Sequence, residues 1–280
     1  MTDAPGRQRP RRTPEGLAYV TDARGLPVGV ALPSWSAPRT EPRPTALTGR
    51  YCRLEVRDGA ARDAALFDRL HAGGAVVTQA RWTYIPLGPF PDAAAMGGWL
   101  DDLARTPGTF PMLVVVTDAG PDDSPAFGDE LSVSSGTGSV EGTASYLRTD
   151  SRMGTVEVGS IVYSPALQRS RAATEAMYLL AQHAFELGYR RYEWKCDALN
   201  APSRAAAVRL GFAFEGVWRN AVVAKGRNRD TAWYAMTDDD WRVLSPVHEA
   251  WLDPANFDAT GRQRTSLSAA TSGALAGLRG

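Results

Sequence analysis

Residues 156–198, VEVGSIVYSPALQRSRAATEAMYLLAQHAFELGYRRYEWKCDA, constrain the fold more than any other stretch. Two apolar strand patterns flank a helical one. Ala173, Ala176, Met177, Leu180 and Ala184 form one stripe between Ser170 and Leu187, and Ser170 suits the N-cap. A strand–helix–strand crossover of this kind joins parallel strands and is right-handed. Its neighbours read as an antiparallel run. Strands are predicted in GRYCRLEV (49–56), PMLVVVTD (111–118), GTASYLRTD (142–150) and a hairpin, EGVWRNAVVA (215–224) with DTAWYAMT (230–237), around KGRNRD. Helices are predicted in DAALFDRLHAGG (63–74), DAAAMGGWLDDLAR (92–105, weakened by Gly97 and Gly98) and PSRAAAVRL (202–210), opened by Pro202 and closed by Gly211. The pattern specifies an α/β (α+β) domain with a mixed, mostly antiparallel sheet of about seven strands and about four flanking helices.

The domain is expected over residues 46–245. Residues 1–45, rich in Arg and Pro, read as an extended arm, residues 119–140 as a mobile insertion, and residues 246–280 as a partly disordered tail. With 31 basic and 31 acidic residues the chain has no net field for a polyanion, so no nucleic-acid partner is expected; RQRPRR (7–12) reads as a solvated tip. Two cysteines, Cys52 and Cys196, are too few for a disulfide framework. No apolar run approaches a membrane span, so a cytoplasmic protein without membrane contact is expected. His71, His183 and His248 have no metal-ligand spacing, and no Ser-His-Asp arrangement is present; no metal is expected. Nearly every basic residue is arginine, Lys195 and Lys225 being the two lysines.

The segment from Val156 to Gly216, with its strand, phosphate-loop position, ATEA helix, second strand and Asn-x-x-Ser ahead of Gly-Phe, resembles the donor-binding core of the GNAT superfamily of N-acyltransferases, within it the RimJ/RimL-like branch. The resemblance extends over roughly residues 46–245. It implies a GNAT fold in which the strands at 155–163 and 190–198 splay apart around a pantetheine arm, and direct transfer of an acyl group from a thioester to an amine. The implied donor is acetyl-CoA or another acyl-CoA, or phosphopantetheine on a carrier protein.

The family's phosphate loop, Gln/Arg-x-x-Gly-x-Gly/Ala, corresponds to Gln168, Arg169, Ser170, Arg171, Ala172 and Ala173. Arg171 stands at the glycine position. A helix N-terminus still offers N–H groups to an anion, and a guanidinium can grip a phosphate. Three readings stay open: CoA held through Arg169 or Arg171, a carrier-protein donor with a single phosphate, or Arg171 in solvent with the backbone sufficient.

By the same resemblance Ile161, Val162 and Tyr163 supply the backbone N–H for the thioester oxygen, Asn200 meets the pantetheine arm, and Ser203 is the acid. Tyr163 and Tyr178 are alternative acids. Val156 and Val158 are expected to face the core, which turns Glu157 to the other face as the base; a cross-strand ion pair is its competing role. Trp82, in an aromatic loop RWTYIPLGPF (81–90), and Trp99 are candidates to line an acceptor cleft, with core packing as the alternative. The expected acceptor is a small-molecule amine, in natural-product tailoring or self-resistance. Protein N-terminal acetylation and a non-catalytic thioester-binding module are the other readings, and either a monomer or a homodimer is compatible.

Overall fold

The computed structural model describes residues 10–279 apart from 14–16, 44–45, 58 and 118–137. It divides into two units, 1–37 and 38–280. In the first, β1 (Arg11–Arg12), β2 (Ala18–Thr21) and β3 (Pro27–Gly29) form an antiparallel sheet in that order. The Asp22 carboxylate closes the β2–β3 turn by accepting from the N–H groups of Arg24 and Leu26, with Gly25 at φ 84°. The expected extended arm is corrected here. A side-chain acceptor that imitates the backbone makes the turn, and the Arg/Pro composition conceals it.

The second unit contains β4 (Ala46–Thr48), β5 (Cys52–Val56), α1 (Ala60–His71), α2 (Gly74–Trp82), α3 (Ala93–Arg105), β6 (Phe110–Thr117), β7 (Gly138–Asp150), β8 (Thr155–Tyr163), α4 (Arg171–Glu186), β9 (Arg191–Asp197), α5 (Ala201–Leu210), β10 (Ala213–Ala224), β11 (Arg227–Thr237), α6 (Asp238–Leu252) and α7 (Leu267–Arg279). Eight strands form one sheet in the order β10-β11-β9-β8-β7-β6-β5-β4. Every pair is antiparallel except β8 with β9. Alternation along the strands builds two cores. Met112 and Val114 face one that contains α4 and α6, while Leu113 and Val115 face another that contains α1 and α3.

α4 starts where Ser170 predicts, its hydroxyl accepting from the Ala173 N–H, and α5 ends on Gly211 at φ 98°. α2 was not anticipated. The glycine pair does end α1, but Gly73 and Gly74 turn the chain straight into a new helix whose Val76 and Val77 face solvent, so it carries no apolar stripe. Gly97, a weakness by propensity, is a close approach in the structure: a Cβ there would lie 2.5 Å from the Asp63 carboxylate, which pairs with Arg57. Most of the expected insertion at 119–140 lies outside the described residues; residues 138–140 begin β7.

The tail expectation is corrected too. α6 opens with a Thr237–Asp240 capping box and runs through Pro246, and α7 buries Leu267 and Thr271 completely. Thr271 donates its hydroxyl to the Arg209 carbonyl on α5. SLSAATSGALAGL, rich in small residues, is a weak helix by itself and is held by this packing. Among the described residues no helix is long and apolar enough to cross a membrane.

Candidate active site

The parallel pairing of β8 with β9 runs from Thr155/Arg191 to Val158/Trp194 and stops. Both strands continue, β8 to Tyr163 beside β7 and β9 to Asp197 beside β11. The sheet is therefore forked, and among the described residues the β9-side edge of Gly159–Tyr163 has no strand partner. The departure begins at Gly159, where a Cβ would meet Leu147 at 2.5 Å, and continues through Ser160 at φ 49°. Here Ser160 and Ile161 of β8 stand against the single residue Ala144 of β7, a bulge that redirects β8.

Val158 and Trp194, the last parallel pair, both face the α4 core. The Trp194 indole N–H donates to the Ser203 hydroxyl oxygen at 3.1 Å, and Asn200 caps α5 by accepting from the Ser203 N–H. Asn200 and Ser203 thus stand at the fork on the α4 side. The Ser203 hydroxyl also lies within hydrogen-bonding reach of the Cys196 sulfur, where it opposes the rise that burial gives that thiol's pKa. The Tyr178 hydroxyl donates to Glu249. The Tyr163 hydroxyl is buried with no hydrogen-bond partner, and burial raises its pKa.

Glu157 projects from the opposite face and is 2% exposed. Its Oε2 lies 3.0 Å from Lys195 Nζ on β9 and 3.6 Å from an Arg148 nitrogen on β7. Burial raises the pKa of its carboxyl, with the two cations opposing that. Glu193, across the parallel register from Glu157, is occupied by Arg191 at 2.6 Å. Trp233 on β11 lies under both cations, 4.9 Å from the Arg148 guanidinium and 5.3 Å from Lys195 Nζ. Trp218 on the edge strand β10 is 59% exposed, its ring centroid 4.5 Å from that of Trp233. Sequence reasoning left Lys195 without a partner and passed over Arg148, Trp218 and Trp233. One available signal was the use of lysine in a chain built on arginine, because both lysines do structural work near this face: Lys225, at the β10–β11 hairpin tip, donates to the Trp82 carbonyl at 2.8 Å.

The loop before α4 is braced by its own groups. The Ser164 N–H donates to the Glu141 carbonyl, Gln168 donates its side-chain amide to the Tyr163 carbonyl, and Arg169 sits at φ 60°. Ser170 caps Ala173, and the N–H groups of Arg171 and Ala172 lie ahead of the first intrahelical bonds. The Arg171 guanidinium is stacked on aromatic rings, 4.5 Å from the Phe257 centroid and 5.1 Å from that of Tyr51. It therefore packs against the two rings and does not extend into open solvent. Trp82 and Trp99 also sit differently from their candidate role. Trp82 is fully buried and Trp99 is 8% exposed, edge-to-face with each other and packed with Phe90 in the α1–α3 core. Both rings are packing residues, since the local helix α2 turns Trp82 inward. Among the described residues no cluster of His, Cys, Asp or Glu could hold a metal ion.

The site is thus a forked mixed sheet with a helix N-terminus at one end of the fork and a buried carboxylate beside it. Residues 53–213 match the family model for the acetyltransferase (GNAT) domain. A GCN5-related N-acetyltransferase from Brucella melitensis is 36% identical over 86% of this chain and 100% of its own, with a TM-score of 0.75. A probable GNAT-family acetyltransferase from Chromobacterium violaceum ATCC 12472 is 37% identical over 78% of this chain and 98% of its own, with a TM-score of 0.65. The chain belongs to the GNAT acetyltransferase family. Mycobacterium smegmatis RimJ, solved in complex with CoA-disulfide, shares the fold at 17% identity over 71% of this chain and 88% of its own, TM-score 0.52. No curated protein matches the sequence.

Proposed function

We propose that this protein moves an acetyl group from acetyl-CoA to the amine of a small molecule, with Glu157 as the base. One observation carries the reading: β8 and β9 part at Val158 and Trp194, with Glu157 buried on one face of the fork and Ser203 held by Trp194 on the other. A pantetheine arm is an extended chain with two amides, which suits the unpaired edge of Gly159–Tyr163 as an added strand does. The first N–H groups of α4, at Arg171 and Ala172, suit the pyrophosphate, with Gln168 and Arg169 beside them. RimJ's complex with CoA-disulfide is consistent with such a donor.

The chemistry follows from the residues. The amine nitrogen attacks the thioester carbonyl carbon, the N–C bond forms and the C–S bond breaks. Glu157 accepts the amine's proton, directly or through a water. Burial makes it a stronger base than a surface carboxylate. Ser203 donates toward the departing sulfur, and a backbone N–H in Ile161–Tyr163 supports the carbonyl oxygen as charge develops. A thermal-shift titration with CoA, acetyl-CoA and phosphopantetheine, followed by free-thiol release with an amine panel, tests the reading. A ligand present at 100 times its Kd adds about 2.7 kcal/mol. A rise in Tm with CoA and thiol release with some amine are expected. A rise with phosphopantetheine alone moves the reading to a carrier-protein donor, and no rise with any of the three ends it.

A further inference from the structure

Among the described residues, Lys195 and Glu193 from β9, Arg148 from β7 and the Trp233 ring from β11 surround Glu157. Glu193 shares Arg191 with Glu215, so the wider network holds three carboxylates and three cations. Glu157 itself contacts both Lys195 and Arg148.

The two cations differ in how they are committed. Lys195 is the shorter contact and its side chain is 27% exposed; Arg148 lies at 3.6 Å with its side chain 51% exposed. A guanidinium has five N–H donors in a planar fork, and one loose contact plus a ring beneath it leaves most of them open. The exposed guanidinium also bears on the acceptor. An amine arrives largely as an ammonium ion, which Arg148 repels unless the same molecule brings an anion for it.

Resting on the acyltransfer reading above, we infer that the acceptor is an amine bearing a nearby carboxylate, an amino acid or a close derivative, with Arg148 receiving the carboxylate while Glu157 takes the amine's proton. The separation agrees with this chemistry. An amine about 3 Å from Glu157 and an anion about 3 Å from Arg148, with Arg148 and Glu157 3.6 Å apart, fit the short span between the nitrogen and carboxylate of an α- or β-amino acid. Trp218, half-exposed and tilted at 38° against Trp233, offers an apolar wall for a planar body, which points to aromatic side chains.

The test uses matched acceptors with acetyl-CoA, read by free-thiol release: tryptophan and phenylalanine, their carboxamides, and tryptamine and phenethylamine. The carboxamides have a more readily deprotonated amine and the decarboxylated amines a less readily deprotonated one, so a preference for the carboxylate over both is not an effect of amine basicity. The expected kcat/KM for the amino acids is about tenfold or more above either control. Arg148→Ala is expected to remove that gap by raising KM for the amino acids, and Arg148→Lys to restore part of it. Equal rates across the matched sets, or a preference that survives in Arg148→Ala, overturn the inference and leave the acyltransfer reading standing. No thiol release with any amine while acetyl-CoA binds removes both.

Discussion

Two buried carboxylates, less than twenty residues apart in sequence, have opposite surroundings. Glu175, on α4, is wholly buried and accepts three backbone N–H bonds, from Arg50, Tyr51 and Cys52, at 2.8, 2.6 and 2.9 Å. Glu157 is as deeply buried but meets two side-chain cations, one of them half-exposed. Burial raises both pKa values, and in each case the partners named work against it. The cradle around Glu175 is fixed main chain, closed so tightly that a Cβ on Gly49 would lie 2.3 Å from its carboxyl carbon. That carboxylate fastens the start of β5 to α4, with most of its acceptor capacity taken by main chain. Glu157 is held by groups that can shift and exchange partners. Burial alone thus does not mark a reactive carboxylate; the nature of its partners does.

Crossing the two substitutions gives the largest effects. Glu157→Gln is expected to lower kcat by about 100-fold or more while CoA binding, followed by calorimetry, persists; a turnover retained across pH would remove Glu157 as base. Glu175→Ala is expected to do the reverse. It strands three N–H groups and lowers unfolding free energy by on the order of 3 kcal/mol, measured in urea, with kcat of the folded fraction retained. If Glu175→Ala instead abolishes turnover at unchanged stability, the contrast drawn here is inverted.

A smaller effect sharpens the Glu157 half. Lys195 favours the charged carboxylate, so Lys195→Met lifts the Glu157 pKa further. Activity that rises as Glu157 loses its proton then needs a higher pH, and the acidic limb of the kcat/KM profile moves up. Lys195→Arg should return it. A limb that stays in place would mean another group titrates there. Smallest of all, Arg171→Ala should cost about 1 kcal/mol through its two ring contacts and leave CoA affinity within about threefold. A large loss of CoA affinity would return the guanidinium to the phosphates.

The features legible in the sequence were those with local causes. Ser170 as cap, Gly211 as stop, the α4 stripe and the outward turn of Glu157 follow from periodicity and capping chemistry. What escaped depended on distant partners. Lys195 finds Glu157 only once the parallel register is known. Trp82 is core because α2 forms without an apolar stripe, and α7 is a helix because α5 and α6 receive Leu267 and Thr271. The Asp22 turn was local yet hidden by the composition around it.

Arg171 ties two far-separated stretches into one hereditary unit. Its guanidinium needs Phe257, and the segment carrying Phe257 is seated by Tyr51 on the Leu252 carbonyl and by Gln263 on the Trp251 indole. A descendant that shed the residues after Leu252 would keep a long cation with one aromatic neighbour gone, beside the first turn of α4. A descendant that regained glycine at 171 would leave Phe257 without its cation. The two changes are therefore expected to travel together, so that among kin of this chain a shortened C-terminus and a small residue at the loop should occur in the same sequences.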